Sequence, residues 1–237
     1  MCDGCVANYP YARPVCQGGS ALAACNHPKG SVHDRSCPEI TVNQGPGQPH
    51  HRANGAKVTE LLTMWRQVAD GFSERVEAVG EHDWSNPTCC EGWDVTKLVD
   101  HAIGAQRMVP KALGATGAID ATGDDLVLVW KTVRGGADAA LGAPGALDEL
   151  VTLPFGEMKA KDGIAFPMSD LLVHTWDLAR AIGANDRLHP EACEKALADL
   201  EPIDALLRNP GFYGPKLEPA AGADVQDRLL AFLGRKV

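Results

Sequence analysis

Apolar residues recur every three or four positions from Val58 onward. Val58, Leu61, Leu62, Trp65, Val68, Ala69, Phe72 and Val76 form one stripe, the period of a helix with a single buried face. The pattern breaks between His82 and Gly92, where Asn86-Pro87 and Glu91-Gly92 are turn signals. Asp94 suits a helix N-cap, and Trp93 before it can staple onto Leu98. The helix that Asp94 opens should run to about Leu113 and stop at Gly114. A third helix is predicted over 124–141 around Leu126, Val129, Trp130 and Val133, weakened by Gly135-Gly136. Residues 149–166 lose the period. There Leu150-Val151-Thr152-Leu153 and Ile164-Ala165-Phe166 flank Phe155-Gly156 and Asp162-Gly163, which predicts a loop or a small hairpin. A fourth helix is predicted with Pro167 in its first turn, ending at Ile182 before Gly183. Pro190 opens a fifth, which Pro202 should stop near Glu201. A last short helix runs from Val225 to Leu233, before Gly234. The expectation is an all-α fold: an antiparallel four-helix bundle with short extra helices and a small hairpin before the fourth helix.

Residues 1–57 do not share this pattern. They carry five of the eight cysteines (Cys2, Cys5, Cys16, Cys25 and Cys37) and are rich in Pro, Gly, His and Asn. The run Gln44-Gly45-Pro46-Gly47-Gln48-Pro49-His50-His51 reads as a linker. The chain therefore divides into an N-terminal segment, 1–57, and a bundle, 58–237. A zinc module could draw on Cys2-x2-Cys5, Cys16, Cys25-x-His27, His33 and Cys37, but only one CxxC is present. A thioredoxin-like role for Cys2 and Cys5 lacks the βαβ surroundings it needs. Disorder, or an upstream extension of the gene model, is favoured, because the segment has little apolar surface to bury.

Composition narrows the function classes. With 237 residues and 45% hydrophobic content the chain can bury a core. A net charge of -9 argues against nucleic acid or an anionic membrane as partner. No apolar run approaches the roughly 18 residues of a membrane span. The N-terminus lacks the basic-then-apolar layout of a secretory signal, so the cytoplasm is the expected compartment.

The chemistry sits on two predicted helices. His101 shares its face with Leu98 and Ala105. His174 shares its face with Leu171, Leu178 and Ala181, and Asp170 stands one turn before it. Buried imidazoles and carboxylates need a partner, either a metal or an internal salt-bridge network. His101, Asp170 and His174 make an N, N, O set that suits Zn²⁺, Ni²⁺ or Fe²⁺ better than Mg²⁺ or Ca²⁺. The open position would hold water or a thiolate. Asp177 is a candidate acceptor for an imidazole N–H, or else a salt-bridge partner of Arg180 or Arg107. Cys89-Cys90 precedes the second helix, where a thiol gains reactivity. The favoured reading there is a small buried residue in a turn. Cys193, Trp84, Trp93, Trp130 and Trp176 read as core or pocket wall, and His82 and His189 as solvated turn residues. There is no Gly-rich phosphate loop and no GxSxG elbow. No catalytic residue beyond the ligands is assigned.

Three segments also carry a resemblance. They are Trp84-x2-Pro87-Thr88-Cys89-Cys90-Glu91-Gly92-Trp93-Asp94-Val95-x5-His101, Asp170-x3-His174-Thr175-Trp176-Asp177-Leu178, and the closing Asp227-Arg228-Leu229-Leu230-Ala231-Phe232-Leu233-Gly234-Arg235. In this order they resemble actinobacterial metal-binding proteins of the DinB-like superfamily, related to the N-terminal domain of mycothiol-dependent maleylpyruvate isomerase. The resemblance covers 58–237. It implies a four-helix bundle whose metal is held by His101, Asp170 and His174, with Asp170 standing where the isomerase has Glu. It makes Cys90 the family cysteine and places Cys89 where Pro is usual. A counterpart of the isomerase's separate C-terminal domain is not expected after the bundle. The resemblance further implies a divalent metal, Zn²⁺ first, with mycothiol as co-substrate. The partners would then be a small thiol and an electrophile, and the activity a transfer or isomerisation. The rivals are a metal-dependent hydrolase and a non-catalytic metal-binding or stress-response module. Bundles of this kind often pair as homodimers.

Overall fold

A computed structural model describes residues 49–237 apart from Phe155, Pro210 and Gly211, with side chains from Lys57 onward. The zinc-module, redox and gene-extension readings of the N-terminal cysteines lie outside the described residues. Helix α1 spans Pro49–Glu77, starting ahead of Val58. Proline fits a first helical turn because its missing N–H is not needed there. Helix α2 (Val95–Ala112) and α3 (Leu126–Leu141) follow. Strands β1 (Leu150–Leu153) and β2 (Gly156–Lys159) pair antiparallel, with Leu150 opposite Lys159. A single turn, α4 (Ala160–Gly163), leads into α5 (Ala165–Ile182). The chain then forms α6 (Pro190–Leu200), α7 (Asp204–Leu207) and α8 (Val225–Phe232). The expected hairpin is present, but Ala165 and Phe166 belong to α5 rather than to a strand.

Local chemistry sets the helix ends. Asp94 Oδ1 accepts from Lys97 N at 2.9 Å and Asp125 caps α3 in the same way, each satisfying an orphan N–H. Gly183, at φ +69°, closes α5 in a left-handed turn that a side chain would strain. Pro202 sits in a 3-10 turn directly after α6, as a residue that cannot continue the helix.

Helices α1, α2, α3 and α5 form the bundle, with α1 and α2 each packed against both α3 and α5. Helices α1 and α3 are antiparallel: Arg66 pairs with Asp138, Asp70 with Arg134, and Ser73 accepts from Trp130 Nε1. Helices α2 and α5 are antiparallel too, since Asn86 before α2 donates to Ala181 O while His101 lies beside Asp170. Helices α1 and α5 run the same way. Gly71 packs beside Thr175, and Arg75 donates to Asn185 O and Arg187 O just past the end of α5. The connection 113–125 allows this, because it is long enough to return along the bundle before α3 begins. Trp65, Phe72, Leu98, Ile103, Trp130, Leu171 and Leu178 fill the interior, with Phe72 edge-on to Trp130 at 4.7 Å. Helix α6 packs on α5 and α8 on α6. The turn at Gly234 after α8 directs Arg235 back into the bundle, where it is 2% exposed. Among the described residues no helix is long and apolar enough to cross a membrane.

Candidate metal centre

Asp170 and His174 are one turn apart on α5 and face His101 across the α2–α5 contact. His101 Nε2 lies 3.1 Å from Asp170 Oδ2, and His174 Nε2 lies 3.4 Å from Asp170 Oδ1. The two imidazoles thus converge on opposite oxygens of one carboxylate, and one donor atom from each residue lies within 4.8 Å of the others. Ligand atoms around a tetrahedral cation at about 2.0–2.1 Å stand roughly 3.3 Å apart. The spacing here therefore fits a divalent cation, and the shorter Asp170 side chain reaches both rings directly. The ring of Trp93 lies 4.8 Å from His101 and 5.8 Å from His174, stacked on the latter.

Behind His174 is a second, fully buried shell of charge. Asp177 Oδ2 accepts from His174 Nδ1 at 2.9 Å and from Arg235 Nη2 at 2.8 Å, while Arg235 Nε reaches Oδ1 at 3.3 Å. Cys89 and Cys90 also donate to this carboxylate. Burial alone would push the Asp177 carboxyl up, but Arg235 and His174 outweigh it and hold it well below the usual range. Burial would likewise raise Asp170, and the charges of His101 and His174 reverse that shift. Burial opposes the charge on His174, yet Asp170 and Asp177 on its two sides raise its pKa from 6.5 to about 10. These shifts are those of the side chains alone, and a cation bound there would compete with the His174 proton.

His101 and Asp170 line a cleft of about 1000 Å³, with His174 buried behind them. Helix α2 supplies Trp93 at its approach and Lys97, Asp100, His101 and Arg107. The crossover loop adds Asp124, α5 adds Phe166 and Asp170, and Tyr213 closes one side.

His101, Asp170, His174 and Asp177 are thus brought together. The expected salt bridge of Asp177 to Arg180 or Arg107 is not formed. Arg180 pairs with Asp186, Arg107 donates to Ala121 O, and Arg235 is the partner instead. His189 is half-buried rather than solvated, whereas His82 is exposed as expected. Cys193 is core, its thiol pushed up to about 12 by burial. Arg235 and Tyr213 also belong to the site, though no sequence pattern singles them out. Arg235 belongs to the closing Leu233-Gly234-Arg235 run, but nothing local marks it as buried. Tyr213 lies on an irregular loop with no period to read.

Residues 65–179 match a family model described as the mycothiol maleylpyruvate isomerase N-terminal domain. An uncharacterised protein of Mycobacterium tuberculosis, found in two strains, is 30% identical over 179 residues, which are 74% of this chain and 98% of that protein. The chain belongs to this family. Within the stretch that the family model matches lie His101, Asp170, His174, Asp177 and both Cys89 and Cys90, while Arg235 falls beyond it. A crystal structure of a histidine-to-alanine variant of the mycothiol-dependent maleylpyruvate isomerase is similar at a TM-score of 0.49 and 17% identity. The similarity covers 62% of this chain and 69% of that one.

Proposed function

We propose that the protein binds a divalent cation, Zn²⁺ first and Ni²⁺ or Fe²⁺ next, through His101, Asp170 and His174. With it the protein presents a low-molecular-weight thiol, mycothiol, to a small electrophile in a transfer or isomerisation. The observation that carries the reading is the convergence of two imidazole nitrogens on one carboxylate at the wall of a cleft. The family's name, mycothiol maleylpyruvate isomerase, supports the choice of thiol.

A bound cation would supply thiol activation, lowering the pKa of a group that is only a few per cent ionised when free at neutral pH. The chain's own residues do the rest. Asp177 accepts a hydrogen bond from His174 Nδ1, which fixes the ring and leaves Nε2 toward Asp170. Arg235 holds Asp177 in place. Trp93 covers both imidazoles and excludes water from one side. Lys97 and Arg107 give the α2 wall positive charge for an anionic or polar electrophile, offset by Asp100 and Asp124.

Elemental analysis tests the ligand set. About one cation per chain is expected in the wild type, and none in His101→Ala or His174→Ala. Normal metal content in His174→Ala would refute the assignment. Turnover of an electrophile that requires added mycothiol tests the thiol. Metal-loaded protein with no such turnover would remove the thiol and leave the metal site standing.

A further inference from the structure

Two neighbouring thiols share one buried carboxylate. Cys89 Sγ donates to Asp177 Oδ1 at 2.9 Å and Cys90 Sγ to Oδ2 at 3.5 Å. One ligand atom from each of the three residues lies within 4.8 Å of the others. Adjacent side chains on extended backbone point to opposite faces, so this convergence needs a turn. The turn is built at 86–95: Thr88 N donates to Trp93 O at 2.9 Å and Trp93 N to Cys90 O at 3.0 Å. The hydroxyl of Thr88 accepts from Cys90 N at 3.1 Å. Gly92, at φ +74°, supplies the left-handed residue that closes it.

The proposed metal chemistry uses neither sulfur, so the question is what a paired thiol in this setting can hold. A disulfide between adjacent residues closes a strained ring. A divalent cation meets Arg235, whose Nη2 lies 3.8 Å from Cys90 Sγ and is bonded to the same carboxylate. It would add a second positive charge beside the buried Asp177–Arg235 pair. A neutral, soft, trivalent centre meets neither obstacle, and sulfur is a soft ligand. The geometry points to a dithiol site at Cys89 and Cys90 for a trivalent arsenical.

The step balances without redox change. Two As–S bonds form and two As–OH bonds break. Each thiol proton leaves with a hydroxide as water, and arsenic stays trivalent. Half-buried Cys89 is the sulfur reached first, and Cys90 closes the chelate from within. Asp177 gives up two S–H donors and keeps His174 and Arg235, so its charge stays compensated. The site does not depend on a cation at His101.

The test adds phenylarsine oxide to the native full chain and locates it by mass spectrometry with peptide mapping. One equivalent bridging Cys89 and Cys90 is expected in the wild type, in Cys193→Ala and in His101→Ala, released by excess 2,3-dimercaptopropanol. Cys89→Ala and Cys89→Ser should each take one equivalent fewer while keeping the wild-type circular dichroism. Mapping separates any equivalent taken up by Cys2 and Cys5. Equal uptake in the Cys89 variants, or capture at this pair only after unfolding in urea, would overturn the proposal. Loss of uptake in His101→Ala would also overturn it, by tying the site to the metal centre.

Discussion

Asp177 is 0% exposed and answers to His174, Arg235, Cys89 and Cys90. A buried charge of this kind stands only while it is compensated, so removing the guanidinium should cost far more than a surface pair would. Arg235→Ala is expected to destabilise the protein by about 3–5 kcal/mol in urea titrations. A loss under about 1 kcal/mol, the scale of an exposed pair, would mean that water replaces the arginine. His174 and Asp177 also set a pH window for the metal-free protein. The folded pKa of His174 is raised from 6.5 to about 10, so its contribution is complete below pH 6.5 and fades as pH rises toward 10. The folded pKa of Asp177 is depressed, so its contribution is present above its ordinary 3.8 and is lost on acidification. Melting temperatures of chelator-treated protein should therefore fall on the alkaline side of pH 6.5, and His174→Ala should flatten that limb. An unchanged alkaline limb in the variant would remove His174 as its cause. The candidate ligands could be read from the sequence because each is marked locally: His101 and His174 by their apolar faces, Asp170 by its four-residue spacing. Arg235 is 58 positions from Asp177 and carries no such mark.

Gly135 and Gly136 look alike in the sequence, as two weak points in α3, yet the fold distinguishes them. Gly135 is exposed, and a Cβ added there meets nothing within 4 Å. At Gly136 a Cβ would stand 2.9 Å from Ala118 Cβ and 3.2 Å from Ile119 N, because the crossover segment lies directly against the helix. Gly135→Ala should accordingly stabilise by about 0.5–1 kcal/mol through helix propensity. Gly136→Ala should destabilise despite the same propensity gain, because packed backbone must move. Equal shifts for the two variants in thermal denaturation would contradict the close approach of 118–119. Apart from the start of α1, which lies at Pro49 inside the run read as a linker rather than near Val58, the helix boundaries were readable to within a few residues. Asp94, Gly114, Gly183, Pro190 and Pro202 act on the backbone beside them, so their effect needs no tertiary context. The hairpin was harder, since a short apolar run such as Ile164-Ala165-Phe166 suits a strand or a helix start equally well.

At the scale of the whole molecule, the ligand set links α2 to α5 across the bundle. A cation bound there should stabilise the fold as a unit, because unfolding would have to separate the ligands. At a free concentration a hundredfold above Kd the gain is about 2.7 kcal/mol, which for a domain of this size raises Tm by roughly 5–10 °C. The absence of a shift on adding Zn²⁺, Ni²⁺ or Fe²⁺ to metal-free wild type, or an equal shift in His101→Ala, would count against a cation bridging the two helices. The sequence by itself determined the helices, their caps and the faces on which His101, Asp170 and His174 stand, because a 3.6-residue period and a capping side chain act over a few residues. Only the tertiary structure decided that α1 and α5 run parallel, that the crossover presses on Gly136, and that Arg235 and two adjacent thiols meet on Asp177. Those contacts join segments far apart in the chain, and their geometry follows from how the helices pack rather than from any local preference.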